Sequence, residues 1–153
     1  MRAKDYARSL YKYIDIESPP IEIEPILSVL NIAFFEGEVG NVDGIAYKEG
    51  QSPAIVVNRE LSPEAKRFAI AHELGHIVMP HSISYRVCLP DNGSRVEADA
   101  DRFAAELLIP ETTLRKLWPR YRDNKEYRVS ILAELFLVSK TAMETRVRYL
   151  KLK

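Results

Sequence analysis

One segment, residues 62–80, constrains the fold of this chain more than any other. Ser62 can accept a hydrogen bond as a helix cap, and Pro63 suits the first helical position, where no amide donor is needed. Pro80 lacks the amide that a continuing helix requires, so the helix is expected to end at about Met79. The segment therefore predicts one long helix with defined ends.

This helix carries two histidines one turn apart, in the motif His72-Glu73-Leu74-Gly75-His76. Residues four apart lie on one helix face, so both imidazoles can reach one ion. Zn²⁺ binds neutral imidazole and lowers the pKa of a bound water from ~15.7 to ~7, and Glu73 stands where it can take that proton. The flanking residues are apolar, and buried imidazoles need a partner. We predict His72 and His76 as metal ligands and Glu73 as the catalytic base, against a chance pair of core or surface histidines.

A third ligand is needed, because catalytic zinc usually takes three protein ligands and leaves the fourth position to water. A second helix, from a cap at Ser94 to about residue 109, contains the carboxylates Glu97, Asp99 and Asp101. Residues 97 and 101 share a helix face, whereas 99 points about 160° away. Glu97 suits the ion, and Asp101 can accept the outward N–H of a ligating histidine. The alternative for Glu97 is a capping box with Ser94.

The rest of the chain predicts an α+β fold in which a small mixed sheet packs on the zinc-binding helix pair. Apolar spacing and turn signals predict further helices at 3–13, 25–30 and 114–118, a buried strand at 32–35, and strands at 44–47 and 54–58. The strand at 54–58 is interpreted as an edge to which an extended substrate could pair.

Residues 121–153 predict a helical, helix-turn-helix-like tail packed on a metallopeptidase domain at 1–120. Ser130 and Ser139 occupy positions typical of helix caps, with a tight join between the two helices. Such a pair is common in helical subdomains, and DNA docking requires base contacts that no pattern here demonstrates. Specific DNA binding is therefore the minority interpretation.

Charge and cysteine content narrow the class of protein. The chain has 22 basic and 22 acidic residues, which argues against a nucleic-acid binder that relies on overall positive charge. Residues 1–112 carry −7 and residues 113–153 carry +7, so the basic tail is a candidate partner surface, with Arg146 and Arg148 as its test positions. The single Cys88 cannot form an internal disulfide, and neither a signal peptide nor an apolar span of ~20 residues is evident. A cytoplasmic location without membrane contact is expected.

Two blocks together resemble the ImmA/IrrE zinc metallopeptidases. They are Phe68-Ala69-Ile70-Ala71-His72-Glu73-Leu74-Gly75-His76 and the run from Glu97 to Pro110, with weaker similarity at 44–47 and 55–58, about half of the chain. The resemblance implies His72, His76 and Glu97 as zinc ligands and Glu73 as the catalytic residue. It also implies that the substrate is a protein, a helix-turn-helix transcriptional repressor of a mobile element or stress locus.

Two other classes of function remain open from the residues alone. One is a transcription regulator with a structural or sensory zinc site, which would have four protein ligands. The other is an anti-repressor binding module that inactivates its partner by contact, without Glu73. For a peptidase, a further donor should stabilise the oxyanion; the candidates are Tyr47, His81, Tyr85 and Arg86.

Overall fold

The computed structural model describes residues 1–48, 52–80, 85–88 and 95–153, with the backbone alone for 85–88. Its helices and strands follow in the order α1 (Ala3–Arg8), α2 (Glu24–Val29), β1 (Ala33–Gly37), β2 (Gly44–Tyr47), β3 (Ala54–Asn58), α3 (Pro63–Val78), β4 (Tyr85–Cys88), α4 (Arg95–Leu108), α5 (Glu111–Leu117), α6 (Arg128–Phe136) and α7 (Lys140–Tyr149), with 3₁₀ turns at Tyr11–Tyr13 and Trp118–Asn124. This is the predicted α+β class.

The four described strands form one mixed sheet in the order β1-β3-β2-β4. β1 runs parallel to β3, whereas β2 is antiparallel to both β3 and β4. Helix α3 packs on β2 and β3, and α4 packs on α3. The sheet therefore supports one helix directly and the second helix through the first.

Two predictions about the strands are wrong. β3 was expected at an edge, but it lies between β1 and β2, because both of its neighbours pair with it. The first strand was expected to be buried, yet Phe34 and Phe35 are 37% and 57% exposed. Within the described sheet β1 lies at one end, and α3 packs on β2 and β3 instead of on β1. The side chains of this apolar run are therefore left partly exposed.

The metal-motif helix begins and ends where its sequence predicts. The Ser62 side chain accepts a hydrogen bond from the Ala65 amide at 3.2 Å, and Pro63 is the first residue of α3. The last helical residue is Val78, and the Met79 amide still donates to Gly75 at 2.9 Å. The predicted cap at Ser94 lies outside the described residues.

The tail helices pack into the same apolar core as α4. Phe103, Leu107, Leu132, Phe136 and Met143 are all completely buried and belong to one cluster.

α6 and α7 meet at a short turn in which Leu137 adopts left-handed backbone angles, φ 53° and ψ 49°. The cap prediction holds for Ser139, which accepts from the Ala142 amide at 3.0 Å. It is wrong for Ser130, because α6 begins two residues earlier. There the buried Arg128 stacks over the Trp118 ring and donates from Nε to the Trp118 carbonyl oxygen at 2.9 Å.

The predicted N-terminal helix is shorter than expected. α1 ends at Arg8, and the chain continues as a 3₁₀ turn over Tyr11–Tyr13 instead of one helix to residue 13. The Ser9 hydroxyl donates to the Tyr6 carbonyl at 2.6 Å, and the Leu10 amide bonds three residues back to Ala7. Such contacts tighten the last turn of a helix and end it.

Arg146 does not lie on the surface of the tail. It is 4% exposed and forms an ion pair with Glu106 of α4 at 2.7 Å, and it also donates to the Ile109 carbonyl at 3.0 Å. The expectation that Arg146 contacts a partner is therefore wrong, because its guanidinium is buried and bound to groups within the fold. Arg148, two residues on, is exposed.

None of the helices in the described ranges is long and apolar enough to span a bilayer.

Candidate metal centre

The two motif histidines point at the same place from inside the fold. His72 and His76 are 8% and 2% exposed, and their Nε2 atoms lie 3.2 Å apart. The histidines follow each other by one turn of α3, and their rings meet edge to face with centroids 4.9 Å apart. This is the arrangement that an i, i+4 pair on one helix face produces.

Glu97 of α4 brings a carboxylate to the two imidazoles. Its Oε1 lies 2.8 Å from Nε2 of His76, and its Oε2 lies 3.2 Å from Nε2 of His72. Glu97 is 4% exposed, and burying a carboxylate without a charged or strongly donating partner is costly. The Glu97 carboxylate therefore points into the fold and contacts the two histidines. The alternative, a capping box with Ser94, involves a residue outside the described ranges.

These three side chains form the one group in the described residues whose composition and spacing could hold a metal ion. One ligand atom from each of His72, His76 and Glu97 lies within 4.8 Å of the other two. Ligand atoms bound about 2.0–2.1 Å from a tetrahedral Zn²⁺ lie about 3.3 Å from one another. The observed separations of 2.8 and 3.2 Å are close to that value, so the residues present fit a small divalent cation.

Asp101 contacts the Nδ1 edge of the His72 ring, away from Glu97 and His76. Its Oδ1 accepts the Nδ1 hydrogen of His72 at 2.7 Å, which leaves Nε2 as the nitrogen facing Glu97 and His76. Burial by itself would lower the pKa of His72. The hydrogen bonds to Asp101 and Glu97 and the charge of Glu73 outweigh that effect and raise the pKa to about 9.

The three carboxylates of the acidic cluster occupy different surroundings, as the helical period predicts. Glu97 is buried, and the Asp101 side chain is 59% exposed although one oxygen reaches His72. Asp99 turns away and pairs with Arg102 at 3.1 Å.

Glu73 lies beside the metal-binding group and is 1% exposed. It follows His72 on α3 and packs against the first residue of β2, Gly44. Apart from the weak family similarity of residues 44–47, the sequence gives no reason for a glycine here, and Gly44 looks like an ordinary strand residue. A close approach between a helix and a strand is a tertiary feature, and only the folded chain displays it.

The candidate oxyanion donors are not brought to the site by any described contact. Tyr47 is 43% exposed on β2. His81 lies outside the described residues, as do the side chains of Tyr85 and Arg86. A cavity of about 850 Å³ between α1, α4 and α7 is lined by Asp101 but not by the two histidines or Glu97.

Comparison with known families gives one match. The sequence profile of peptidase M78, described as the IrrE N-terminal-like domain, matches residues 29–148. The matched range includes the four described strands, the two helices that carry the candidate metal ligands, and most of the tail. A search of curated proteins finds no match.

Proposed function

We propose that this chain, which belongs to the peptidase M78 family, is a zinc-dependent peptidase with His72, His76 and Glu97 as metal ligands and Glu73 as general base. The observation that carries the proposal is the convergence of the three buried ligand side chains, with the buried Glu73 next to them on α3. Membership in the family supports a metallopeptidase type of activity. The metal and the residue roles are our assignment.

The donor set favours catalytic over structural zinc. Two imidazoles and one carboxylate are a ligand set found in zinc peptidases, and they leave a fourth position for water or substrate. A closed structural site would require another protein ligand, and no fourth His, Cys, Asp or Glu belongs to the group among the described residues. Bound zinc would polarise the scissile carbonyl and acidify a water.

Asp101 is proposed to position His72. As the acceptor of the Nδ1 hydrogen at 2.7 Å, it leaves Nε2 as the ring nitrogen that would bind the metal. Its carboxylate also restricts rotation of the imidazole ring. Asp101 would thus strengthen metal binding without touching the metal.

Glu73 is proposed to move the proton in both halves of the reaction. Its carboxylate takes a proton from the attacking water and then delivers it to the leaving amine. Burial at 1% exposure keeps bulk water from competing for that proton.

The edge strand β4 is proposed to hold an extended substrate. β4 pairs with β2 on one side, and in that register Cys88 lies opposite Gly44, the strand residue that contacts Glu73. Within the described sheet its other side is an edge. An extended peptide that pairs there would run past the buried base, because β-pairing fixes the path of the added strand.

We propose a protein as the substrate, and a helix-turn-helix transcriptional repressor as its type. The family match supports a peptidase, and the repressor follows from the resemblance of the two sequence blocks. A cytoplasmic location would suit such a substrate. The exposed basic residues of the tail, such as Arg148, are proposed to guide a protein partner and not to read DNA sequence.

The proposal is tested by incubating zinc-loaded protein with candidate repressors and identifying the products by mass spectrometry. We expect cleavage at one or a few peptide bonds, its loss after chelation, and its return with added Zn²⁺. The Asp99→Asn variant serves as a matched control, because Asp99 pairs with Arg102 and not with the histidines. Cleavage that continues in chelated protein would contradict the proposal.

A further inference from the structure

Gly44 lies so close to Glu73 that any side chain at position 44 would press on the Glu73 side chain. A Cβ atom at Gly44 would lie 3.0 Å from Cγ of Glu73 and 3.1 Å from its Oε2. Favourable contacts between carbon atoms begin at about 3.5 Å. A single methyl group at this position would therefore crowd the Glu73 side chain and require it to move by a few tenths of an ångström.

The surrounding backbone leaves Glu73 as the group that must yield. The same Cβ would lie 3.2 Å from the carbonyl oxygen of Val56 on β3. Gly44 itself is held in the sheet on both sides, opposite Val57 and Cys88. Paired strands shift less readily than a side chain, so the strain from a methyl group would fall on the Glu73 carboxylate.

We infer that Gly44 is a positioning residue for the general base. Because Gly44 has no side chain, the Glu73 carboxylate can lie directly against the start of β2. This contact would fix the position of the carboxylate relative to the two histidines. Errors of about 1 Å in the placement of a catalytic group can reduce the rate about 100-fold. The inference rests on the proposed role of Glu73 and adds a residue that the metal motif does not contain.

The test compares Gly44→Ala with Gly37→Ala. Gly37 is also a strand residue of this sheet, but a Cβ there would meet only Cγ1 of Val56, at an ordinary 3.7 Å. In Gly44→Ala we expect zinc to remain at one ion per chain, kcat to fall at least ~10-fold, and KM to change less than kcat. Gly37→Ala should resemble the wild type in all three quantities.

A second readout does not depend on hydrolysis. In metal-free protein labelled with ¹³C at the glutamate carboxyl groups, the Glu73 resonance can be assigned by its loss in Glu73→Gln. We expect Gly44→Ala to shift this resonance and Gly37→Ala to leave it in place. Folded Gly44→Ala with an unshifted resonance and wild-type kcat would overturn the inference.

A stability comparison covers the case in which Gly44→Ala folds poorly. In a Glu73→Ala background most of the overlap is gone, so adding Gly44→Ala should lower Tm by less than it does in the wild type. An equal loss in both backgrounds would overturn the inference. Because the resonance and Tm need no turnover, a protein without peptidase activity would refute the proposed function and leave the Gly44 contact separately testable.

Discussion

Replacing Arg146 with Met should destabilise the fold far more than the same change at Arg148. Arg146 is 4% exposed and lies 2.7 Å from Glu106, which is 2% exposed. Removing one partner of a buried ion pair leaves an uncompensated charge and costs about 3–5 kcal/mol. Arg148 is exposed, so Arg148→Met should change the free energy of unfolding by no more than about 0.5 kcal/mol.

The remaining partners of Glu106 place the expected cost at the lower end of that range. Arg8 Nε stays 3.3 Å from Oε2, and the Tyr11 hydroxyl donates to Oε2 at 2.7 Å. The Ile109 carbonyl also loses its 3.0 Å donor from Arg146. We expect a loss of about 3 kcal/mol, which corresponds to a fall in Tm of roughly 6–12 °C for a domain of this size.

Acid should reduce the difference between the Arg146→Met variant and the wild type. Burial would raise the pKa of Glu106, but the charge of Arg146 and the hydrogen bonds from Tyr11, Arg146 and Arg8 outweigh it and lower the pKa below its ordinary value of 4.5. A carboxyl group whose pKa is lower in the folded chain than in the unfolded chain stabilises the fold at pH values above its unfolded pKa. That stabilisation is lost as the pH falls through the folded pKa. The gap measured at pH 7 should therefore narrow below about pH 4.5.

Urea unfolding of the wild type, of Arg146→Met, Arg148→Met and Glu106→Gln, and of the double variant Glu106→Gln/Arg146→Met provides the measurement. The double variant should lose less stability than the sum of the losses in its two single variants, because it has neither an unpaired Glu106 carboxylate nor an unpaired Arg146 guanidinium. If Arg146→Met were as stable as Arg148→Met at pH 7, the claim that this ion pair joins α7 to α4 would be refuted.

Five further substitutions test the metal centre and the tail. Glu97→Ala should abolish stoichiometric zinc binding, while Asp101→Asn should weaken zinc binding by ~10- to 100-fold. Metal analysis after dialysis measures both effects. A full complement of zinc in Glu97→Ala would show that Glu97 is not a ligand. Gly75→Ala should weaken zinc binding ~10-fold, because its Cβ would lie 3.0 Å from the Phe103 ring and push α4 from α3, and Phe103→Leu should restore part of the affinity in a competitive zinc titration. Arg148→Gln should slow cleavage of a protein partner at low salt but not of a short peptide; specific DNA binding lost on this change, with cleavage intact, would favour the regulator instead.

The convergence of the candidate site residues was more predictable from sequence than the order of the strands around them, for a physical reason. His72, His76, Glu97 and Asp101 lie on two helices, and helical periodicity alone states which of them share a face. The 2.7 Å contact between Asp101 and His72 follows from that rule together with the packing of α4 on α3.

Strand order follows from pairing between distant segments, which a single sequence does not display. From sequence, β3 was interpreted as an edge strand directly before α3. Pairing with β1 and β2 places it inside the sheet.

Arg146 shows the same limit for charges. The +7 balance of residues 113–153 describes the tail as a whole, but it does not state which guanidinium is drawn into the core by a carboxylate 40 residues away. Gly44 is a further case, because its close approach to the Glu73 side chain exists only once β2 and α3 are packed together.

The most direct test of the peptidase assignment is the behaviour of Glu73→Gln. This change keeps the size of the side chain but removes its ability to accept a proton, so we expect one zinc ion per chain and cleavage of the protein substrate reduced ~100-fold or more. Zinc content by metal analysis and product formation by mass spectrometry should be measured on the same preparation. Cleavage at the wild-type rate, or partner inactivation that persists in full without cleavage, would contradict the account.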